Sequence, residues 1–195
     1  MDKHIIFKGN KISRTVVKNN ILKTYSKATP ADKVDWYVEA NNFCQYVSEH
    51  YELPLNKVIG IVSALSPRKS WELNKRVAID LITTNEAGHM KVFVDKARDI
   101  RDNGNTDEEI LGILNGTKIK SFYLNIKYPK RDKTVTIDRH AIAVALGRTA
   151  SDLELAITPK HYKFFEDCYK WTADKLNISP VQLQAVTWTT WRKLK

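Results

Sequence analysis

Between Trp36 and Tyr51 the apolar residues Trp36, Tyr37, Ala40, Phe43, Cys44, Val47 and Tyr51 recur three or four positions apart, the spacing of one helix face. Thr29-Pro30 sets an N-cap residue before a proline, so the helix is expected to open there, and Pro54 resets the chain. Leu55, Val58, Ile59, Val62 and Leu65 follow in a segment that is apolar nearly all round, which predicts a central, buried helix ending at Ser66-Pro67. Ser70 is placed to cap the next helix, with Trp71 near its start and Leu73, Val77 and Leu81 inside. Met90, Phe93, Val94, Ala97 and Ile100 mark another, closed by the turn signal Asn103-Gly104.

Thr106-Asp107-Glu108-Glu109 is a capping box, in which Thr106 accepts from the third helical amide while Glu109 reaches back. The short helix it opens carries Ile110, Ile113 and Leu114, and Gly116 is placed to end it. Residues 118–126 read as a helix with Ile119, Phe122, Tyr123 and Ile126 on one side. Val135-Thr136-Ile137 is a short extended stretch, Asp138 an N-cap, and Ala141 to Leu146 a helix stopped at Gly147. Thr158-Pro159 and Ser179-Pro180 open two more. The pattern predicts an all-α protein of about nine or ten helices. No internal repeat, low-complexity segment or long linker divides it.

Composition narrows the class. The 195 residues suit one domain, and 43% hydrophobic against 28% charged residues is ordinary for a globular protein. No apolar run approaches the roughly 20 residues of a membrane-spanning helix. Met1-Asp2-Lys3-His4-Ile5 does not open a signal peptide. The expectation is therefore a cytoplasmic protein (host cytoplasm if phage-encoded), off the membrane and monomeric. Cys44 and Cys168 offer neither a disulfide framework nor a zinc quartet, so no metal is expected.

Charge adds the first functional clue. Thirty-two Lys plus Arg against 22 Asp plus Glu give +10, a surplus that suits a polyanionic partner or serves only as a solubilising surface. It concentrates in Lys118, Lys120, Lys127, Lys130, Arg131, Lys133 and Arg139, opposed within that stretch by Asp132 and Asp138 alone. There two short helices meet at a tight turn containing Gly116. Such a turn and the helix start after it point unpaired N–H groups outward, the arrangement that holds a phosphate. Ser66-Pro67-Arg68-Lys69-Ser70, a basic loop opening a helix, reads either as a second phosphate contact or as a plain interhelical turn.

Leu114-Asn115-Gly116-Thr117-Lys118-Ile119-Lys120-Ser121, followed by Ile137-Asp138-Arg139-His140, resembles the paired motifs of the helix-hairpin-helix DNA glycosylase superfamily, particularly its endonuclease III type. The family pattern is roughly Leu-Pro-Gly-Val-Gly-x-Lys-Thr-Ala, then an aspartate about eighteen residues beyond the lysine; here these are Lys120 and Asp138. Weaker likeness runs from Ile61-Val62-Ser63-Ala64-Leu65 to Asn74-Lys75-Arg76 and through Lys96 to Ile100, so the resemblance covers about residues 55 to 147. Asn115 stands where the family has proline, Lys118 where it has the second hairpin glycine, and Leu65 where it has a polar residue that fills the gap of an extruded base. The chain is also similar to small phage proteins that share Ile-Asp-Arg-His-Ala and Leu-Gln-Ala-Val-Thr-Trp segments.

The resemblance implies a helix-hairpin-helix glycosylase-like fold with two helical lobes, one spanning about 43–134 and the other 1–42 plus 135–195. It implies a cleft between them that holds Lys120 and Asp138. It also implies double-stranded DNA as partner and excision of a flipped base, with Asp138 stabilising the sugar cation and Lys120 forming a Schiff base that permits strand cleavage. Gly116, Thr117, Lys118, Arg68, Lys69, Arg139 and His140 are the expected DNA contacts. The family's cysteine cluster is missing, so no iron–sulfur cofactor is implied.

From the residues alone other readings stay open. Asp138 reads also as a helix cap, Lys120 as a solvated lysine and His140 as a structural hydrogen-bonding residue. The five tryptophans read as mostly core, with base stacking by Trp188 and Trp191, three apart on one helical face, as the lesser alternative. The rival functions are a non-catalytic helix-hairpin-helix DNA-binding protein and a phage enzyme that processes modified bases.

Overall fold

A computed structural model describes residues 3–130 and 133–194; Met1, Asp2, Arg131 and Asp132, named above, lie outside them. The described residues are mostly helical, with a 3₁₀ turn at Pro30–Lys33 and one two-stranded sheet. The elements are β1 (His4–Phe7), β2 (Asn10–Ser13), α1 (Arg14–Tyr25), α2 (Trp36–His50), α3 (Leu55–Leu65), α4 (Trp71–Thr84) and α5 (Lys91–Asn103). They continue with α6 (Asp107–Ile113), α7 (Thr117–Lys127), α8 (Arg139–Leu146), α9 (Asp152–Leu155), α10 (Pro159–Leu176) and α11 (Pro180–Lys193). The chain divides into two compact units, Met1–Tyr37 with Tyr128–Lys195, and Val38–Lys127.

The capping signals are realised one by one. Ser70 accepts from the Leu73 amide, Thr106 from Glu109, Asp138 from Ala141, Thr158 from His161 and Ser179 from Gln182. Gly147 ends α8 at φ 71°, the left-handed backbone that glycine adopts without a Cβ clash.

Three expectations are corrected. The helix expected after Thr29-Pro30 is only a 3₁₀ turn there, and α2 opens at Trp36. The Asp32 carboxylate takes the Thr29 amide (2.9 Å) and hydroxyl (2.7 Å) and pairs with Lys193 at 2.5 Å, which closes the turn; Val34 then goes extended. Leu73, expected inside, is 38% exposed. None of the five tryptophans is fully buried: four are half-buried and Trp171 is exposed, so the large core aromatics are Tyr37, Tyr123, Tyr169, Phe7 and Phe165 instead. The indole N–H restricts where tryptophan can be covered completely.

Three elements add to the expected set. The β1–β2 hairpin turns through Lys8 (φ 49°) and Gly9 (φ 82°), the two successive left-handed residues of a tight hairpin turn, and β1 buries Ile5 and Phe7. Helix α1 is capped by Ser13, which accepts from Val16 at 3.1 Å, and buries only Val17, Ile21 and Thr24. Helix α9 is a single turn set by the Ser151–Glu154 capping box.

In the first unit α1, α8, α10 and α11 pack around Phe7, Ile21, Val144, Phe165, Tyr169 and Leu183. In the second, α3 is the axis: every residue from Val58 to Leu65 is buried, with α4, α5, α6 and α7 around it. Gly60 permits this, because a Cβ there would lie 2.8 Å from Ile100 Cγ2 and 2.9 Å from Ile110 Cγ2. The two cysteines are buried free thiols, and burial pushes Cys44 up to about 12 and Cys168 to about 11. No helix among the described residues is long and apolar enough to cross a membrane.

Candidate functional site

The extended run before Asp138 pairs with no strand among the described residues. Its backbone groups are satisfied by side chains of α10: the Val135 amide donates to Glu166 Oε1 (3.2 Å), the Tyr162 hydroxyl donates to the Val135 carbonyl (2.7 Å), and the Ile137 amide donates to the same hydroxyl (3.1 Å). Val135 and Ile137 are buried, so these bonds stand in for a sheet ladder and fix the chain up to the start of α8. From below, the Tyr169 hydroxyl donates to the Ala141 carbonyl at 3.3 Å, and burial pushes that phenol well above its usual range.

Asp138 is thereby placed as the N-cap of α8, half-exposed, with its two oxygens held separately. Oδ1 accepts from the Ala141 amide at 2.8 Å. Oδ2 accepts from the Trp188 indole N–H on α11 at 3.1 Å. Both donors are neutral, and Asp138 forms no ion pair with a described residue. The carboxylate is therefore oriented by two neutral donors, with no ion-pair partner among the described residues.

Trp188 is the centre of an aromatic and basic group around that carboxylate. His140 meets its ring edge-on at 5.8 Å, Trp36 lies tilted at 5.7 Å, and the Arg192 guanidinium sits over it at 4.6 Å. Tyr37, beside Trp36, donates to Gln184 Oε1 at 2.9 Å and ties this group to α11. The sequence singles out Asp138, Arg139 and His140, places Trp36 and Trp188 with the core although Gln184 and Trp188 fall in the shared Leu-Gln-Ala-Val-Thr-Trp segment, and gives no signal for Arg192. Arg139 is exposed and His140 half-buried.

The hairpin residues belong to the second unit. Gly116 lies between α6 and α7 at φ 82°, and a Cβ there would meet nothing within 4 Å, so the glycine answers a backbone need and not a crowded one. Asn115, Gly116, Thr117 and Lys118 are all exposed, and α7 begins at Thr117. Lys120 is half-buried, and its ammonium makes no hydrogen bond or ion pair with a described residue. Lys127, counted in the basic stretch, is already neutralised: it pairs with Asp107, which also accepts from the Tyr123 hydroxyl at 2.7 Å. Arg131 lies outside the described residues.

The second basic loop is only partly open. Arg68 is exposed and holds a left-handed backbone at φ 62°, whereas Lys69 donates to the Gly88 carbonyl at 2.8 Å. Leu65, at the place of the family's gap-filling residue, is wholly buried in α3. No group of three or more His, Cys, Asp or Glu among the described residues is arranged to hold a metal ion.

A protein-family model described as a family of unknown function (DUF7178) matches residues 3–195. No curated protein and no solved structure matches the chain.

Proposed function

The chain belongs to this family of unknown function, and from its own residues we propose that it is a DNA base-excision enzyme of the helix-hairpin-helix type. One observation carries the reading: Asp138 is a half-exposed carboxylate oriented by two neutral N–H donors and neutralised by no cation among the described residues. Breaking the bond between a base and C1′ sends the bonding electrons to the base and leaves positive charge on the sugar. A fixed carboxylate with no ion-pair partner stabilises that charge as it develops. A carboxylate serving only as a cap does not need the second donor.

Lys120 takes the role of the amine. Its attack on C1′, with the base leaving, and loss of its proton give a Schiff base with the opened sugar; β-elimination then breaks the 3′ phosphodiester. The exposed Gly116–Lys118 turn, with Arg68 and Arg139, supplies backbone and guanidinium donors to phosphates, which position DNA without reading its sequence.

A panel of duplexes carrying single damaged or modified bases tests this. Base release is expected from at least one. Asp138→Asn should lower it strongly with the fold retained, since the amide keeps the capping oxygen and loses the charge. Lys120→Ala should abolish the covalent complex trapped by borohydride. Full activity in both variants sinks the assignment.

The exposed hairpin also favours a second reading, a DNA-binding protein without catalysis. In that case no duplex in the panel reacts. Binding would still weaken with salt at a log–log slope near −4 to −5 for about five phosphate contacts. Lys118→Glu would flatten it.

A further inference from the structure

Arg14 and Lys18 stand one turn apart on α1, and Trp171 and Lys175 one turn apart on α10. The two helices pack through Val17 and Ile21 on one and Phe165, Cys168 and Tyr169 on the other, which sets these four residues along one seam. The Lys18 ammonium lies 3.3 Å from the Trp171 ring centroid and the Lys175 ammonium 5.5 Å. Trp171 is 43% exposed, the one exposed tryptophan among the described residues.

The charges here are not balanced. Neither Lys18 nor Lys175 forms a hydrogen bond or ion pair with a described residue. Asp167 and Glu166 of α10 are taken by Lys163 and Lys170, and Asp174 pairs with neither lysine. The Lys18 ammonium is held below its usual range first by burial and then by the like charges of Arg14 and Lys175, with Cys168 acting in the opposite sense. An exposed indole beneath mutually repelling cations is relieved by an anion that also carries a flat apolar face.

We infer that this α1/α10 seam binds a single-stranded nucleic-acid segment, with one base stacked on Trp171 and the neighbouring phosphates on Lys18 and Lys175. An acidic peptide would satisfy the lysines and leave the indole without a stacking partner. A duplex keeps its bases stacked on one another and offers the ring nothing. A single strand supplies both parts, and every base has a face to stack. The flexible lysine stem lets Lys18 move from the ring to a phosphate as the base arrives. The surface shares no residue with Asp138 or the Gly116 turn, so it stands independently of the excision reading.

Fluorescence anisotropy of a labelled short oligothymidylate, beside an abasic oligomer of equal length, tests it. The thymidylate should bind about tenfold more tightly than the abasic strand, as one stacked base confers. Trp171→Ala should remove that preference while circular dichroism stays native, and Trp171→Phe should restore most of it. Lys18→Ala with Lys175→Ala should lower the salt slope by about 1.4, two single-strand phosphate contacts. Equal binding of both oligomers, an undiminished preference in Trp171→Ala, or equally effective competition by polyglutamate overturns the inference. So does loss of the preference in Asp138→Asn, which would move the contact to the other site. Absence of base-release activity has no bearing on these outcomes.

Discussion

The indole N–H of Trp188 donates to Oδ2 of Asp138 at 3.1 Å, across 50 residues of chain, and so fixes a carboxylate that the start of α8 holds by its other oxygen. Two donors from different helices set the plane of the carboxylate, whereas a cap bond alone leaves it to swing. Orientation of this kind matters where charge develops at one point, because a dipole or charge already in place needs no reorganisation.

Trp188→Phe isolates that bond. Phenylalanine keeps an aromatic ring toward Trp36, His140 and Arg192 but cannot donate. A double-mutant cycle with Asp138→Ala, read by urea denaturation, should give a coupling of about 1 kcal/mol. Additivity of the two substitutions would show that the bond contributes nothing. Where base release is measured, Trp188→Phe should reduce it less than Asp138→Asn, since the charge remains.

Local signals made much of this legible. Ser70, Thr106, Asp138, Thr158 and Ser179 each cap the helix their sequence neighbours imply, because a cap is decided within four residues. The β1–β2 hairpin escapes notice because its alternation lasts four residues a strand, and α1 because few of its positions are apolar. The 3₁₀ turn after Pro30 depends on Lys193, at the far end of the chain, reaching Asp32. Asp138 is readable as a cap, yet its second donor is not: nothing near position 138 announces an indole from position 188. The Lys127–Asp107 pair likewise removes a cation that charge counting assigns to the basic stretch.

Two glycines on neighbouring helices should respond in opposite directions. Gly60→Ala places a methyl carbon inside contact distance of Ile100 and Ile110, whose buried side chains have little room to yield. A loss of about 1–3 kcal/mol is expected. Gly112, exposed in α6, has a helical backbone, and a Cβ added there would meet nothing within 4 Å, so Gly112→Ala should add about 0.5–1 kcal/mol. Chemical denaturation of both variants checks the pair, and a shared sign would contradict the packing described for α3.

Acid should unfold the first unit in a defined window. Lys193, then the Thr29 hydroxyl and amide, hold the Asp32 carboxyl down to about 2 from an ordinary 3.8. Arg148, followed by the Ser151 amide, holds Glu154 at about 2 from 4.5. Both folded values are depressed, so their stabilisation is present above the unfolded values and is lost as pH falls from about 4.5 through about 2. Thermal midpoints should drop across that window. Asp32→Asn and Glu154→Gln should each be less stable at pH 7 and lose less on acidification. A wild-type midpoint that stays flat between these pH values would refute the assignment.

The last prediction concerns how Asp138 is delivered to its place. Tyr162→Phe keeps the ring in the core but removes the hydroxyl that accepts from Ile137 and donates to Val135. Both backbone groups are buried, so water cannot replace the lost partner, and each orphan carries its own desolvation cost. The variant should lose about 2 kcal/mol or more, and the Ile137 amide should exchange its hydrogen faster than in the wild type. Tyr169→Phe makes the comparison: it removes a hydroxyl that donates to the Ala141 carbonyl at 3.3 Å, inside α8, and also meets the Thr187 side chain. It should leave Ile137 exchange unchanged, because neither of those partners lies in the run before Asp138. An unaltered Ile137 amide in Tyr162→Phe would mean that the run into Asp138 is held by its apolar packing and not by the Tyr162 hydroxyl.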